Sequence, residues 1–176
     1  LDGAPVGILE REHSERAIAL PRGRGLELVV EDQGRVNYGA RIGEHKGLVG
    51  PALLDGMPLT GWEVLAIDLD RVPRLWETGP PDGHDSGVGP AAWRALFSAE
   101  PHVDLFLDTT VWGKGIAWVN GFCLGRYWRR GPQRTLFVPG PVLRPEGNEM
   151  VVLELEVLAD PTARFVAGPS LGPLED

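Results

Sequence analysis

Apolar and polar residues alternate over short stretches along most of the chain, and this two-residue period is typical of β-strands with one buried face. No stretch sustains the period of a helix. The pattern predicts strands at residues 7–9, 16–20, 25–31, 62–69, 92–97, 103–108, 116–120, 135–138 and 149–157, with a final edge strand at 164–166. Strands at this spacing without intervening helices predict an all-β fold, either a β-sandwich or a jelly roll.

Turn-forming residues separate these strands. The chain has 24 glycines and 16 prolines, and their scattered distribution suits short strands better than long helices. Asn120-Gly121 lies between apolar residues and predicts a type I′ hairpin turn, because both residues accept a positive φ. Residues 77–90 contain almost no apolar side chain, so we interpret them as a linker or a long surface loop.

The carboxylates of the predicted strands give no sign of catalysis. Glu154 and Glu156 alternate with apolar residues in the strand predicted at 149–157, so we expect both on a solvated outer face. Asp104 and Asp108 receive the same interpretation. No catalytic residue is therefore predicted in this chain.

Composition and charge narrow the function classes. Hydrophobic residues make up 43% of the chain and charged residues 24%, as in an ordinary soluble globular protein. The net charge of −8 argues against nucleic acid as a partner. No apolar run approaches the ~20 residues that a membrane helix needs, so no membrane partner is predicted.

Neither a metal nor a cofactor is predicted. The single Cys123 excludes an internal disulfide and a thiolate metal cage, and the histidines show no ligand spacing. Asp82, His84 and Asp85 lie in a turn-rich stretch, where we expect them to be solvated or to cap turns. A calcium ion bound by scattered oxygen atoms is left open, because such ligands leave little trace in a sequence.

Two long motifs carry a resemblance to a known family. The first lies within residues 31–50 and contains EDQGRVNYG and HKGLVG; the second lies within residues 112–139 and contains WGKGIAWVNGFCLGRYW and GPQRTLFVP. Together with GNE at 147–149 and LELE at 153–156, they resemble the carboxy-terminal β-domains of glycoside hydrolase family 35 β-galactosidases. The similarity is ordered along the chain and covers most of residues 1–157.

The resemblance implies a domain plan. In that family a catalytic (β/α)8 barrel, which carries two catalytic glutamates, precedes two β-sandwich domains. Residues 1–70 would be the later half of the first sandwich, 71–90 a linker, and 91–176 a complete second sandwich of the galactose-binding-like type. Because the earlier strands of the first sandwich are missing, we expect an exposed apolar face or edge. The start without Met or a signal pattern is expected of a fragment, and it leaves the compartment unknown.

The resemblance also implies a role. The chain would be a non-catalytic fragment of an exo-acting, retaining β-galactosidase, inactive alone, that packs on the catalytic barrel and meets galactosides through the parent enzyme. Tyr38, in the motif GRVNYG, would reach the rim of the galactose pocket, where its ring covers a sugar face and its hydroxyl forms hydrogen bonds. The alternative is a rigid turn in which Tyr38 packs on its own sandwich.

Tryptophans raise a second class of function. Exposed rings stack on sugars, and Trp112 and Trp128 are the candidates, although packing within the protein is the favoured interpretation of both. Trp118 lies in an apolar strand and is predicted to be core. Two alternative functions stay open: an independent carbohydrate-binding module, and a purely structural domain that supports homo-oligomerisation.

Overall fold

The computed structural model describes residues 1–70, 72, 90–156 and 158–172. The chain divides into two units, Leu1–Leu65 and Ala66–Asp176. Every strand in the described residues pairs antiparallel, and no α-helix occurs among them. The predicted all-β fold class is therefore confirmed. Within the same residues, no helix is long and apolar enough to cross a membrane.

The first unit contains little regular structure. Its strands are β1 (Leu53–Leu54) and β2 (Met57–Pro58), which form a short hairpin. The strands predicted at 7–9, 16–20, 25–31 and 62–69 are not formed, so those predictions are wrong. Alternation shows only that one face of a segment suits burial. A strand also needs a neighbour to accept and donate its backbone hydrogen bonds, and these segments lack one.

Apolar side chains of the first unit lie exposed. None of residues 1–65, all of which the structure describes, is buried. Apolar residues are thus exposed as predicted, but most lie on extended segments outside any sheet, so the structure does not show the predicted sheet face or edge. The exposed large side chains are Ile8, Leu9, Ile18, Leu28, Val29, Val30, Tyr38, Ile42, Leu48, Val49, Leu53, Leu54, Met57, Trp62, Val64 and Leu65.

The second unit is a sandwich of two sheets. The structure confirms the strands predicted after residue 90, with bounds shifted by a few residues, and it places the last of them at a sheet edge as predicted. A 3-10 helix, Gly140–Val142, precedes the strand Asn148–Glu154. Across the first sheet the strands lie in the order β3 (Ala91–Phe97), β8 (Asn148–Glu154), β5 (Lys114–Val119) and β6 (Phe122–Trp128). Across the second sheet the order is β7 (Thr135–Val138), β4 (Leu105–Asp108) and β9 (Arg164–Val166).

The main core lies between these two sheets. The three-stranded sheet contributes Leu107, Leu136 and Val138, and the four-stranded sheet contributes residues of β5, β6 and β8. The β5–β6 turn has φ +51° at Asn120 and +79° at Gly121. The predicted need for positive φ at Asn-Gly is therefore confirmed.

The four-stranded sheet is apolar on its outer face as well. Ile116, Trp118 and Val151 form a second buried cluster there with Val72, and Leu69 packs against it. Trp118 is 2% exposed, which confirms the core prediction. The predicted boundaries at 1–70, 71–90 and 91–176 stay a prediction; of the predicted linker, only Val72 and Pro90 belong to the described residues.

Candidate functional site

Tyr38 lies at the tip of a hairpin-like loop in the first unit. The base of the loop is an antiparallel bridge between Arg35 and His45. Above it, the Val36 amide donates to Glu44 O at 2.8 Å, and the Gly43 amide donates back to Val36 O at 2.7 Å. Tyr38 is 89% exposed, so the alternative in which it packs on its own sandwich does not describe this chain.

Ion pairs hold the returning side of this loop. The carboxylate of Glu44 accepts from Arg11 at 2.7 Å and from Arg41 at 2.6 Å, and Arg11 also donates to the carbonyl of His45 at 3.1 Å. The hydrogen bond from Arg41 is the main reason that the pKa of Glu44 lies below its ordinary value. Arg35 donates to Gly43 O at 3.3 Å, so it pairs within the loop.

Trp112 lies in the core of the second unit rather than on a surface. It is 2% exposed, and its ring meets that of Tyr127 edge-on, with centroids 5.4 Å apart. Packing within the protein, the favoured interpretation from the sequence, describes this position. A sugar would reach the ring only after the core had opened, so the burial does not support a stacking role.

Glu154 is buried, and the expectation of a solvated face is wrong for this residue. It is 0% exposed and shares the inner face of β8 with Val152. Its two carboxylate oxygens accept four hydrogen bonds, which replace the water that burial removes. The donors are the amides of Gly113 at 3.2 Å, Lys114 at 2.8 Å and Glu156 at 2.9 Å, and the hydroxyl of Tyr127 at 2.9 Å.

Two glycines make room for this arrangement. A Cβ on Gly115 would overlap the carbonyl oxygen of Leu153 and the phenol of Tyr127, and one on Gly113 would lie 2.8 Å from Oε1 of Glu154. Burial, followed by the charge and hydrogen bond of Glu154, raises the pKa of Tyr127. The phenol therefore stays a hydrogen-bond donor to Glu154, and the cluster is a structural one.

Trp128 carries two cations on its ring. The Lys114 ammonium lies 4.4 Å from the ring centroid, and the Arg130 guanidinium lies 4.8 Å from it. These distances fit cation–π contacts. The indole N–H of Trp128 is buried without a partner among the described residues. Sugar stacking on this ring stays a prediction, and a sugar would compete with the cations for the ring.

A network of asparagines joins two loops at one end of the second unit. Asn148 is 0% exposed; its Oδ1 accepts from Asn120 Nδ2 at 2.9 Å and from the Arg144 amide at 2.8 Å. Asn120 Nδ2 also donates to Val142 O at 2.8 Å, and Asn120 Oδ1 accepts from the Glu149 amide at 3.0 Å. These bonds fix the 120–121 turn against the 144–147 loop.

A pocket opens beside this network, and it was not predicted from the sequence. Its volume is about 420 Å³. The only sequence signals for it are the turn motifs Asn120-Gly121 and Gly147-Asn148, because its charged residues come from separate segments. The lining residues are Asp70, Arg94, Leu96, Asn120, Gly121, Arg144, Gly147 and Glu149.

The remaining candidate residues from the sequence do not form a further site within the described part of the chain. In the part of the chain that the structure describes, no three His, Cys, Asp or Glu side chains form a group that could hold a metal ion. Asp82, His84 and Asp85 lie outside that part. Asp104 is exposed, and its Oδ1 accepts from the Gly140 amide at 2.8 Å.

Models of known protein families match residues in both units of the chain. Residues 1–68 match the family model for the first all-β domain of β-galactosidase, and residues 90–148 match that for its galactose-binding domain. The chain carries two β-domains of the β-galactosidase family. Tyr38 falls within the first match, and Trp112, Asn120 and Trp128 fall within the second.

Relatives support the same assignment. The β-galactosidase of Macaca fascicularis is 41% identical over 179 residues, which cover 89% of this chain and 26% of that protein. Human β-galactosidase is 39% identical over 176 residues, with 89% and 26% covered. The mouse β-galactosidase-1-like protein 3 is 38% identical over 165 residues, with 88% and 24% covered. The chain thus spans about a quarter of the length of these relatives.

Proposed function

We propose that this chain is a non-catalytic β-domain part of an exo-acting β-galactosidase, that it packs on the catalytic barrel of the same enzyme, and that Tyr38 completes the rim of the galactose pocket. The parent enzyme hydrolyses terminal β-galactosyl residues. The chain alone hydrolyses nothing.

The exposure of Tyr38 carries the proposal. Tyr38, 89% exposed at the tip of a loop, buries little surface against its own chain. The loop beneath it is nevertheless fixed by backbone hydrogen bonds and by the ion pairs of Glu44 with Arg11 and Arg41. An aromatic residue presented on a fixed loop suits a contact with another surface, where its ring buries area and its hydroxyl finds a partner.

The exposed apolar residues of Leu1–Leu65 support packing on a larger partner. So many exposed large apolar side chains within 65 residues are unusual for a free soluble domain, and a protein partner would cover them. Relatives in which the matched region makes up about a quarter of the length supply a candidate for that partner within one polypeptide. The same exposure fits a purely structural role, so Tyr38 must be tested separately from packing.

Kinetics of the full-length enzyme test the pocket role. We expect Tyr38→Ala to reduce kcat/KM for a β-galactoside roughly tenfold, which corresponds to a loss of about 1.4 kcal/mol of binding in the transition state. Tyr38→Phe, which keeps the ring, separates stacking from hydrogen bonding. Val111→Ala, at an exposed apolar residue of the second unit, is the control and is expected to leave kinetics unchanged.

Two outcomes would count against parts of the proposal. Unchanged kinetics in Tyr38→Ala would remove the pocket role and leave packing as the function of the first unit. Hydrolysis of a chromogenic β-galactoside by the 176-residue chain alone would contradict the non-catalytic assignment.

A further inference from the structure

β3 forms one edge of the four-stranded sheet in the second unit. It pairs with β8 over its whole length, Ala91–Phe97, and no described strand lies on its other side. Edge strands of soluble proteins are usually protected by prolines, lysines or bulges, or by being very short. β3 contains neither proline nor lysine, its register with β8 is uninterrupted, and its one charged residue, Arg94, forms an ion pair with Glu149 of β8. The edge therefore lacks the usual protection against pairing with another strand.

Hydrogen bonds between β5 and β8 show which backbone groups of β8 are turned away from β3. The amide of Asn120, directly after β5, donates to Glu149 O at 2.8 Å, and the amide of Leu155 donates to the first residue of β5 at 2.7 Å. Backbone groups alternate in direction along an antiparallel strand. Glu149, Val151 and Leu153 therefore all direct their N–H and C=O groups toward β5, and these groups are not available to β3.

The residues of β3 that lie opposite these three positions point outward in turn. Leu96 lies opposite Glu149, and Arg94 and Ala92 follow at alternate positions. In an antiparallel pair, residues that are not hydrogen-bonded to the partner strand direct both backbone groups away from it. The N–H and C=O groups of Ala92, Arg94 and Leu96 thus face the open edge, where no described residue forms a hydrogen bond with them. Such a row of groups is a template for another strand.

The sequence of β3 is complementary to itself in one antiparallel register. A twofold axis at Ala95 brings that residue opposite its own copy, Arg94 opposite Leu96, and Trp93 opposite Phe97 of the second copy. Arg94 and Leu96, whose backbone groups face outward, then form the hydrogen-bonded pairs. A register centred on Arg94 would place two guanidinium groups opposite each other, and like charges in that arrangement are destabilising. The charges therefore favour the register centred on Ala95.

We propose that β3 is a self-association surface, through which two copies of this chain join their sheets into one continuous sheet with four strands from each copy. Arg94 and Leu96 exchange backbone hydrogen bonds with the second copy, and Trp93 and Phe97 supply aromatic contacts between the copies. One strand pair makes a small interface, so we expect a Kd on the order of 100 µM. The inference goes beyond the proposed function and does not rest on Tyr38 or on the catalytic barrel.

Hydrogen exchange of the 176-residue chain at two protein concentrations tests this surface. With a Kd on the order of 100 µM, mass action predicts that the Arg94 and Leu96 amides exchange roughly fourfold more slowly at about 1 mM than at about 10 µM. The amides of Trp93 and Ala95 face β8 within one copy, so we expect their exchange to be independent of concentration. This contrast between alternate residues of one strand separates pairing at β3 from association through the first unit.

Two variants test the pairing by different routes. Leu96→Pro removes an outward N–H and leaves the bonds to β8 in place, because proline is tolerated on edge strands where its nitrogen faces solvent. Ala95→Lys needs no tolerance of proline; it places two ammonium groups opposite each other at the twofold axis. We expect both variants to abolish the concentration dependence at the Arg94 amide. Val111→Lys, at an exposed residue outside β3, is the matched control and is expected to keep it.

Several results would overturn the proposal. They are equal exchange of the Arg94 and Leu96 amides at both concentrations, a concentration dependence that persists in Ala95→Lys, and one that is lost in Val111→Lys as well. A dependence shared by all residues of β3 would show general aggregation and would overturn it too. None of these results changes the kinetics expected for Tyr38→Ala, so the two proposals fail separately.

Discussion

The phenol of Tyr127 donates a hydrogen bond of 2.9 Å to Oε2 of Glu154, and both side chains are buried. A buried carboxylate is stable only when its lone pairs find donors. Glu154 finds them in three backbone amides besides the phenol. The pair connects β6 with β8, which lie on either side of β5, so it joins three strands of the larger sheet.

The phenol of Tyr127 is expected to resist ionisation. Its pKa is raised above the ordinary value of 10.0 by burial and by the neighbouring carboxylate. In the unfolded chain the same phenol releases its proton above about pH 10. The stability that it contributes is therefore complete below pH 10 and declines as the pH rises beyond that value, because only the unfolded state loses a proton.

Absorbance at the phenolate wavelength measures this behaviour. The chain has two tyrosines, so a Tyr38→Phe background leaves Tyr127 alone. Unfolding is monitored separately by tryptophan fluorescence. We expect phenolate absorbance to rise only over the pH range in which the chain unfolds. Titration of Tyr127 near pH 10 in a chain that is still folded would contradict the buried hydrogen bond.

Replacement of the buried carboxylate is expected to be costly. Glu154→Gln replaces one carboxylate oxygen with an NH2 group. The buried groups that donate hydrogen bonds to that oxygen then lose their acceptor. We expect a loss of about 2–3 kcal/mol in the free energy of unfolding, measured by urea denaturation. Glu146→Gln, at an exposed position, is the matched control, with an expected change within about 0.5 kcal/mol. Equal effects of the two substitutions would show that Glu154 is not the acceptor that the structure describes.

All the described strands of the second unit except β6 could be predicted from alternation, but neither β6 nor the role of Glu154 could. Alternation identifies two faces and assigns the charged one to solvent by default. Here both faces of the sheet are covered: Val152 and Glu154 face the main core, and Val151 packs in the outer cluster. Three of the four donors to Glu154 belong to Gly113, Lys114 and Tyr127, which are distant in the sequence, so no local pattern shows them. The pocket escaped prediction for the same reason, since Asp70, Arg94 and Arg144 are brought together only by the fold.

Gly115 lies where the fold leaves no room for a side chain, and a substitution there tests the close packing. The Cβ of Gly115→Ala would overlap the carbonyl oxygen of Leu153 and the phenol of Tyr127, and both are held by the sheet and by Glu154. We expect a loss of about 2–3 kcal/mol in stability from this overpacking. Gly168→Ala is the matched control, because a Cβ there meets no atom within 4 Å. A similar stability for both variants would contradict the close packing at Gly115.

Hydrogen exchange is expected to separate the two units. None of residues 1–65 is buried, whereas β4, β5, β7 and β8 surround the main core of the second unit. Amides that rely on exposed hydrogen bonds exchange by small local openings, and core amides require larger ones. We therefore expect amide protection in Leu1–Leu65 to be at least roughly a hundredfold lower than in β5 and β8. In the full-length enzyme, the packing on the barrel proposed above should raise protection in the first unit and leave β5 and β8 nearly unchanged. Equal protection of the two units in the 176-residue chain would show that the first unit has a core of its own, and it would remove the argument that its apolar side chains need a partner.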